Sequence, residues 1–482
     1  MRISPWLLLL LAGGAAWNIW PAGAIILSLL LPVGVMQARS KGVRWTFAFV
    51  WFLAGSISIV PSAVGFFGPS YLMFGIAAWL ASSALLALPW IIADTPIKAV
   101  IAVILDAVPP IGLIGWLSPL TAAGWLFPGQ GLAGVAGCLL VILCSTSMVS
   151  RNSCHGCKVS IQTGVMGDTY WLRTSGMDDM YWLRTGVMGD MYWLRTGVMG
   201  DTCSGILKLM TGILVVWVIL ANLLYTPVPV PKDWIGIQTS IPPSNGNVLQ
   251  AIANNRALIA AAQTQGAKAR YLLFPEAVLD DWYPGTRAQI AAAIPPGQTW
   301  ILGAETLAPG ARYDALVIAQ RHHALQEPVF RAALPMPVSM WRPGFAGSFQ
   351  ATWHEPVQNI NGHRVWASIC FDQVLPWVWI DGMMQHPNLI LLPSNDWWAQ
   401  KWNPAPEIQK EQADAWNRLM GTATVGANNK FAIRNKTGHN VRKVTPQGQK
   451  CRIPNHRNCS DWHATDIPSV KSPSMSAEAS KP

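Results

Sequence analysis

The stretch His363-Arg-Val-Trp-Ala-Ser-Ile-Cys370-Phe-Asp-Gln373 contains the strand on which the interpretation of the chain depends. Its apolar residues partly alternate, as is typical of a mostly buried β-strand, and the strand runs directly into Cys370. Two further short strands are predicted to end in polar residues, one at Glu276 and one at Ser394-Asn395. A strand fixes the position of a side chain at its end, while the following loop leaves that side chain accessible. We therefore expect the three strand ends to form one functional site.

The composition indicates a membrane protein. Of the 482 residues, 51% are hydrophobic and 12% are charged, well below the roughly one quarter that is usual in soluble domains. Residues 3–38, 45–93 and 107–150 contain no Asp, Glu, Lys or Arg. The net charge of +10 arises from basic residues in loops between apolar runs or dispersed through the C-terminal half. This distribution predicts contact with a lipid bilayer and no direct binding of nucleic acid.

A polytopic α-helical membrane domain is predicted for residues 1–226. Seven apolar runs are candidate spans, at residues 4–20, 21–38, 45–67, 71–93, 100–117, 132–148 and 205–225. Loops on one side carry Arg39, Lys41, Arg44, Lys98, Arg151 and Lys158, whereas loops on the other side carry no charge. The positive-inside rule then predicts an inner-membrane protein whose chain after Tyr225 lies on the periplasmic side.

An internal repeat separates the last two predicted spans. Residues 164–174, 175–185 and 186–196 are three nearly identical 11-residue units, and residues 197–202 begin a fourth. Each unit has too few apolar residues to bury a face, which predicts a disordered or membrane-surface insert. Cys154 and Cys157 have CxxC spacing without a second pair at zinc-finger spacing, so no metal and no cofactor are predicted. Cys451 and Cys459 would form a disulfide if they lie in an oxidising compartment.

Residues 232–450 have the alternating strand and helix pattern of a soluble α/β domain. Strands are predicted at residues 234–239, 270–274, 299–303 and 313–319, and helices at 247–265 and 285–294. This alternation predicts a layered sandwich of sheets and helices. Residues 451–482 are polar and rich in Pro, Ser and Lys, which predicts a loose tail.

The polar strand ends suit acyl chemistry. A cysteine thiol attacks a carbonyl carbon, a carboxylate accepts the thiol proton and returns it to the leaving group, and a cation or backbone donors hold the oxyanion. Each piece alone is weak, because a single strand cysteine is more often a packing residue than a nucleophile.

The order Phe274-Pro275-Glu276, Ile369-Cys370-Phe371-Asp372 and Pro393-Ser394-Asn395-Asp396-Trp397 resembles the carbon-nitrogen hydrolase (nitrilase) superfamily. Within it, spans followed by an extracytoplasmic domain resemble apolipoprotein N-acyltransferase, and the segment Leu334-Pro-Met-Pro-Val-Ser-Met-Trp341 looks closer to the TraB proteins of plasmid conjugal transfer. The resemblance implies an α-β-β-α sandwich with a Glu-Lys-Cys triad. Glu276 would be the base and Cys370 the nucleophile, with Asp372, Ser394 and Asn395 in supporting positions.

The family lysine is missing, since no lysine lies between Glu276 and Cys370. Arg331 is the best positional substitute, because it precedes a proline-rich loop as the family lysine does. Arginine keeps the positive charge but cannot give up its proton and has a different reach.

Two functions therefore remain open at the level of sequence. One is a membrane-anchored amidase or N-acyltransferase that acts on amide, lipid or lipoprotein acyl groups through Cys370. The other is a catalytically impaired envelope component of the conjugation apparatus that retains the fold.

Overall fold

A computed structural model describes residues 23–154, 161–166, 169–174, 197–308, 310–399 and 403–430. A helical region comes first along the chain and a sheet-containing region follows, in the predicted order. The predictions for Cys157, Cys451, Cys459 and the tail at 451–482 lie outside the described residues.

The described residues of the helical region form eight α-helices, the last of which ends at Leu224. They are α1 (Leu30–Met36), α2 (Lys41–Gly55), α3 (Ile59–Phe67), α4 (Leu72–Leu86), α5 (Pro96–Ala107), α6 (Ala123–Leu126), α7 (Gly131–Cys154) and α8 (Gly197–Leu224). In the described part of the chain, three helical stretches are long and apolar enough to cross a membrane: Pro69–Ile92, Gly131–Ser150 and Gly205–Leu224. The pair α2 and α3, bent by 45°, would make a fourth. These stretches match four of the predicted spans.

Of the remaining predicted spans, one is not tested and two differ from the structure. Residues 4–20 lie outside the described residues, and the second predicted span holds only the short apolar helix Ile25–Met36. Residues 100–117 do not form one helix, because α5 ends at Ala107 just before Pro109-Pro110. A proline has no backbone N–H to donate and disfavours a helical conformation in the preceding residue.

The first repeat unit contributes to a pair of antiparallel strands. Strand β1 (Ile161–Met166) pairs antiparallel with β2 (Thr169–Thr174), with Val165 opposite Tyr170. The residues Thr-Tyr-Trp-Leu of this unit favour such an extended conformation. The start of the fourth unit, residues 197–202, belongs to α8. Residues 175–196 lie outside the described part.

Two sheets make up the second region. The larger has the order β3 (Trp234–Gly236), β4 (Tyr271–Leu273), β5 (Thr299–Ala308), β6 (Ala311–Gln320) and β7 (His323–Ala324), with β8 (Phe330–Arg331) also paired to β6. The smaller has the order β12 (Ala423–Lys430), β11 (Leu389–Asp396), β10 (His363–Ala367) and β9 (Gln358–Ile360). Strands β3 to β5 run parallel, as do β10 to β12. Their carboxyl ends therefore bring loop residues together.

Alternating side chains join the sheets into one core. Leu273, Ile301 and Leu316 of the larger sheet share a buried cluster with Val365 and Leu391 of the smaller sheet. On its opposite face, the larger sheet packs against α9 (Val248–Gln265) and α10 (Pro284–Ala293). The smaller sheet packs its other face against α11 (Pro376–Met384) and α12 (Ala405–Met420). This layering fixes the strand ends relative to one another.

Helix α12 also contacts the helical region directly. Gly124 of α6 lies against the carbonyl oxygen of Ala415, where an added Cβ would clash. The backbone N–H of Gly129 donates to the carbonyl of Arg418 at 2.8 Å, and the Arg418 guanidinium donates to the Asn222 side chain at 2.9 Å. One buried cluster contains Trp90 and Leu120 of the helical region together with Trp379 and Trp416 of the sheet region.

Candidate active site

Cys370 lies in a strained turn at the end of β10. Its φ is +46°, a left-handed conformation that non-glycine residues rarely adopt, and a 3-10 turn follows over Cys370–Val374. Such strain of about 1–3 kcal/mol persists only where the surrounding structure imposes it, and it concentrates at functional sites. Cys370 is partly exposed with a free thiol, whereas the other described cysteines with a free thiol, Cys138 and Cys144, are buried.

A hydrogen-bond network around Gln373 imposes this turn. The Gln373 amide donates to the backbone carbonyls of Ser368 and Pro393, both at 3.0 Å. The Ser394 hydroxyl donates to Gln373 Oε1 at 3.2 Å, and the Gln409 amide donates to both Gln373 Oε1 and Ser394 Oγ. Ser394 therefore holds the turn Cys370–Val374 against β11.

Asp372 fastens the same turn to the loop after β8. Its two carboxylate oxygens accept from the backbone N–H groups of Ala333 and Leu334, each at 2.9 Å. Burial raises the pKa of Asp372 to about 7, and the two backbone donors partly offset this effect. Asp372 thus supports the turn through the backbone of residues 333 and 334.

Glu276 follows β4 and is buried, with 6% of its surface exposed. Its backbone carbonyl accepts from the Asn395 amide at 2.8 Å, which ties the end of β4 to the end of β11. Behind it, Gly303 of β5 leaves no room for a Cβ, because such an atom would lie 2.6 Å from Glu276 Cα. Glu276 is thereby held from both sides.

The Glu276 carboxyl group contacts both the Cys370 thiol and the Asp314 side chain. Burial raises its pKa to about 7, while hydrogen bonds from Asp314 and Cys370 lower it and the charges of Asp396 and Asp372 raise it. A carboxyl group with a pKa near neutrality accepts and returns a proton readily at physiological pH.

The thiol rests in its protonated form. Burial raises the pKa of Cys370 well above its usual value, and the nearby Glu276 and Asp396 charges raise it further. The backbone N–H of Asn395 donates to the sulfur and acts in the opposite direction. Attack by this thiol therefore requires that a base remove its proton, and Glu276 is the group in contact with it.

Asp314 is a site residue that the sequence analysis missed. It lies within β6, has 2% of its surface exposed, and shares a hydrogen bond with Glu276. Burial and the neighbouring Glu276 carboxyl group raise the pKa of Asp314 well above its usual value. One signal was available, because Asp314 is the only charged residue in the apolar run 313–319. Asp396, at the end of β11, is the other carboxyl group that affects Glu276 and to which the sequence analysis gave no role.

The Arg331 side chain does not reach Cys370 or Glu276. Arg331 pairs with Ala315, the residue after Asp314, and successive residues of a strand face opposite sides of its sheet. The Arg331 guanidinium carbon lies 4.9 Å from the centre of the Tyr313 ring, and a guanidinium nitrogen lies 4.0 Å from Glu327. Its backbone N–H donates to the buried Glu355 at 2.8 Å.

The site thus joins Cys370, Glu276, Asn395 and Asp314, and Asp372 and Ser394 hold the turn Cys370–Val374 in place. None of the ion pairs in the described part of the chain involves Glu276, Asp314, Asp372 or Asp396. The same residues contain no cluster of three or more metal-ligating side chains. The arrangement is a thiol beside a buried carboxyl group, with further carboxyl groups around them.

The solved structures to which part of the chain is similar include carbon-nitrogen hydrolases. An amidase of the nitrilase superfamily from Nesterenkonia AN1 matches 42% of this chain and 78% of its own, at 18% identity and a TM-score of 0.32. A carbon-nitrogen hydrolase from Helicobacter pylori G27 matches 42% of this chain and 76% of its own, at 14% identity and a TM-score of 0.31. No protein-family model matches the chain.

The chain is similar along most of its length to conjugal transfer proteins called TraB. The TraB protein of Agrobacterium fabrum is 24% identical over 461 residues, which cover 89% of this chain and 93% of the relative. A probable TraB protein of Sinorhizobium fredii is 24% identical over 421 residues, which cover 84% and 93%. The sequence-based resemblance to TraB proteins is therefore confirmed.

Proposed function

We propose that this chain is a membrane-anchored, carbon-nitrogen hydrolase-like protein of conjugal transfer, with an α-β-β-α sandwich, that forms an acyl-enzyme on Cys370. The observation that carries the chemistry is the contact between the Cys370 thiol and the buried Glu276 carboxyl group. Similarity to TraB proteins over most of the chain supports a role in conjugation.

The proposed reaction begins when the Cys370 sulfur attacks the carbonyl carbon of an amide. Glu276 accepts the thiol proton, and the carbonyl oxygen becomes an oxyanion. Glu276 then returns the proton to the leaving nitrogen, the carbon–nitrogen bond breaks, and a thioester remains on Cys370. Water completes an amidase reaction, whereas an amine acceptor would complete an N-acyltransferase reaction on lipid or lipoprotein acyl groups.

Arg331 is proposed as the substitute for the family lysine, and this role requires its side chain to move. Its guanidinium must leave the Tyr313 ring and cross to the other side of the sheet edge before it can hold an oxyanion at Cys370. Arg331→Ala tests this role. If Arg331 acts in the reaction, the variant loses acyl-enzyme formation although Tyr313 and Glu276 are unchanged. If the rate of acyl-enzyme formation is unchanged, Arg331 has no role in the reaction and only contacts Tyr313 and Glu327.

The helical region is proposed to anchor the protein in the inner membrane, with the sheet-containing region on the periplasmic side. The stretch Gly205–Leu224 of α8 is apolar and largely exposed, since only 11% of its most apolar 18 residues are buried. The orientation is supported by the charge difference between the loops, because Arg39, Lys41, Arg44 and Lys98 all lie on one predicted side and the loops on the other carry no charge. A reporter fused after Thr226 should be active only when it requires the periplasm, and activity only in the cytoplasm would contradict the proposal.

The acyl-enzyme is tested by intact mass spectrometry of protein purified from its host membrane. We expect an acyl mass on the wild type and on the Cys138→Ala and Cys144→Ala variants, whose thiols are buried in the helical region. Cys370→Ala should carry no acyl mass, and Glu276→Gln should carry little. An equal mass shift on wild type and Cys370→Ala would refute the proposed nucleophile.

The outward position of Arg331 favours a second candidate function. Without a cation at the thiol, the protein would retain the fold as an envelope component of the conjugation apparatus and lack full chemistry. Full plasmid transfer by Cys370→Ala, together with no acyl-enzyme in Arg331→Lys, would support this function. Loss of transfer in Cys370→Ala at normal protein levels would exclude it.

A further inference from the structure

A cavity of about 350 Å³ lies where α12 meets the end of α8. Its volume falls within the range of roughly 300–1,000 Å³ that is usual for small-molecule sites. Trp125 of α6 and Tyr225, the residue after α8, form one part of the lining, and Lys410, Asp414 and Arg418 of α12 form another. The cavity is distinct from the candidate active site, because it is lined by none of the residues of that site.

Two aromatic rings hold the Arg418 guanidinium in this cavity. Its carbon atom lies 5.0 Å from the centre of the Trp125 ring and 4.7 Å from the centre of the Tyr225 ring. One guanidinium nitrogen donates to the Asn222 side chain at 2.9 Å, whereas the buried Nε has no hydrogen-bond partner among the described residues. A guanidinium carries five N–H donors in a planar fork. The fork of Arg418 is therefore fixed in position and retains donors for a further ligand.

The positive charge of Arg418 has no anionic partner in the described part of the chain. Asp414 lies one turn earlier on α12, but its carboxylate pairs with Lys410 at 2.6 Å. Lys410 also lies 3.4 Å from the Glu411 carboxylate. The charged side chains of the cavity are thus two cations and two carboxylates, and both carboxylates contact Lys410. This distribution suits a ligand that brings an oxyanion to Arg418 and has no net charge.

The cavity lies at the end of a predicted membrane span. Tyr225 directly follows the apolar stretch Gly205–Leu224. Leu223 and Leu224 are 75% and 77% exposed, so the end of this stretch offers an apolar surface beside the cavity. Trp and Tyr side chains are enriched at the interface between lipid headgroups and hydrocarbon. A phospholipid whose acyl chains contact these leucines would have its phosphate at the depth of the cavity.

We propose that Arg418 binds the phosphate of a zwitterionic membrane phospholipid, whose acyl chains lie along the exposed end of α8. The Glu411 and Asp414 carboxylates oppose a headgroup with net negative charge and accept hydrogen bonds from a headgroup ammonium. The inference goes beyond the proposed reaction at Cys370 and rests only on the proposed membrane anchoring.

The binding is measured by native mass spectrometry of the full-length protein in detergent, with phosphatidylethanolamine as the added probe. We expect the wild type to retain one molecule of this lipid. Arg418→Gln should lower the affinity about tenfold or more, because it removes charge-assisted hydrogen bonds to the phosphate. Arg256→Gln removes an exposed arginine of α9 outside the cavity and should bind as the wild type does.

Asp414→Asn tests the site without altering Arg418, and it decides the question if Arg418→Gln does not fold. The substitution removes one carboxylate of the cavity and the ion-pair partner of Lys410. The affinity for the anionic lipid phosphatidylglycerol should then rise severalfold, because less negative charge opposes it. Asp381→Asn removes a carboxylate that pairs with His354 outside the cavity, and it serves as the matched control.

The possible failures are distinguishable. If folded Arg418→Gln retains phosphatidylethanolamine with wild-type affinity, Arg418 only joins the helices and the lipid site is refuted while the anchoring stands. An unchanged affinity of Asp414→Asn for phosphatidylglycerol would refute the site as well. Displacement of the lipid by an equal concentration of inorganic phosphate would assign the cavity to a free anion and overturn the proposed lipid. If alkaline carbonate releases the wild-type protein from its membrane, the proposed anchoring fails and this inference fails with it.

Discussion

The pH dependence of Cys370 alkylation provides a direct test of Glu276 as the base. With a pKa of about 7, Glu276 is about 9% ionised at pH 6 and about 91% ionised at pH 8. Only the ionised form of Glu276 accepts the thiol proton. The rate at which the neutral reagent chloroacetamide alkylates Cys370 should therefore rise about tenfold between these pH values. Above pH 8 the rate should level off, because the base is already ionised.

A thiol that reacts without a base gives a different profile. The pKa of Cys370 is raised well above its usual value, so its thiolate fraction would grow about tenfold with each pH unit throughout this range. The rate would then rise about a hundredfold between pH 6 and pH 8 and continue to rise at pH 9. The two mechanisms therefore differ in both slope and curvature.

Glu276→Gln is the decisive variant. Loss of a positioned base reduces the rate by about 10²–10⁴-fold at pH 8, and the remaining rate should follow hydroxide concentration without a plateau. Folding is checked by thermal unfolding in the same detergent. A wild-type profile that rises without a plateau, or a Glu276→Gln variant with an unchanged plateau, would refute the assignment of the base.

Three further substitutions test the support of the site. Gly303→Ala should slow Cys370 alkylation without changing its pH midpoint, since the added Cβ displaces the Glu276 backbone, while Gly285→Ala, with open space around it, should not. Asp372→Asn leaves one backbone N–H without its acceptor and should destabilise the protein by about 1–3 kcal/mol in denaturant unfolding. Gly124→Ala, which places a Cβ against the Ala415 carbonyl, should lower thermal stability, and Gly212→Ala, a helical glycine in open space, should not. Equal effects of each glycine variant and its control, or no loss of stability in Asp372→Asn, would contradict the corresponding packing argument.

The strand ends were predictable because they depend on local patterns. Apolar runs that end in a polar residue gave Glu276 and Cys370, and parallel strands bring such ends to one edge. Asn395 was predictable for the same reason, and it joins the ends of β11 and β4 through one hydrogen bond. The structure brings these three residues together.

The remaining features depend on register and on packing between distant segments. Asp314 meets Glu276 because of the pairing of β5 with β6, which no local pattern encodes. Arg331 lies on the opposite face of the sheet from Asp314, because it pairs with Ala315. A difference of one residue along a strand reverses the direction of the side chain. The missed break in the fifth predicted span is different, since Pro109-Pro110 was visible in the sequence.

The turn Cys370–Val374 connects the candidate site to the helical region. Phe371, the neighbour of Cys370, packs its ring against Trp116 of the helical region, with the ring centres 6.2 Å apart. Asp372, the next residue, holds the backbone of Leu334, which belongs to the same buried cluster as Trp90 and Leu120. The segment Pro227–Pro231 therefore separates the two regions along the sequence, although both regions contribute to one buried cluster. A fragment that begins after the linker would expose the apolar face beneath Cys370, so the helical region supports the geometry of the site in addition to its proposed role as an anchor.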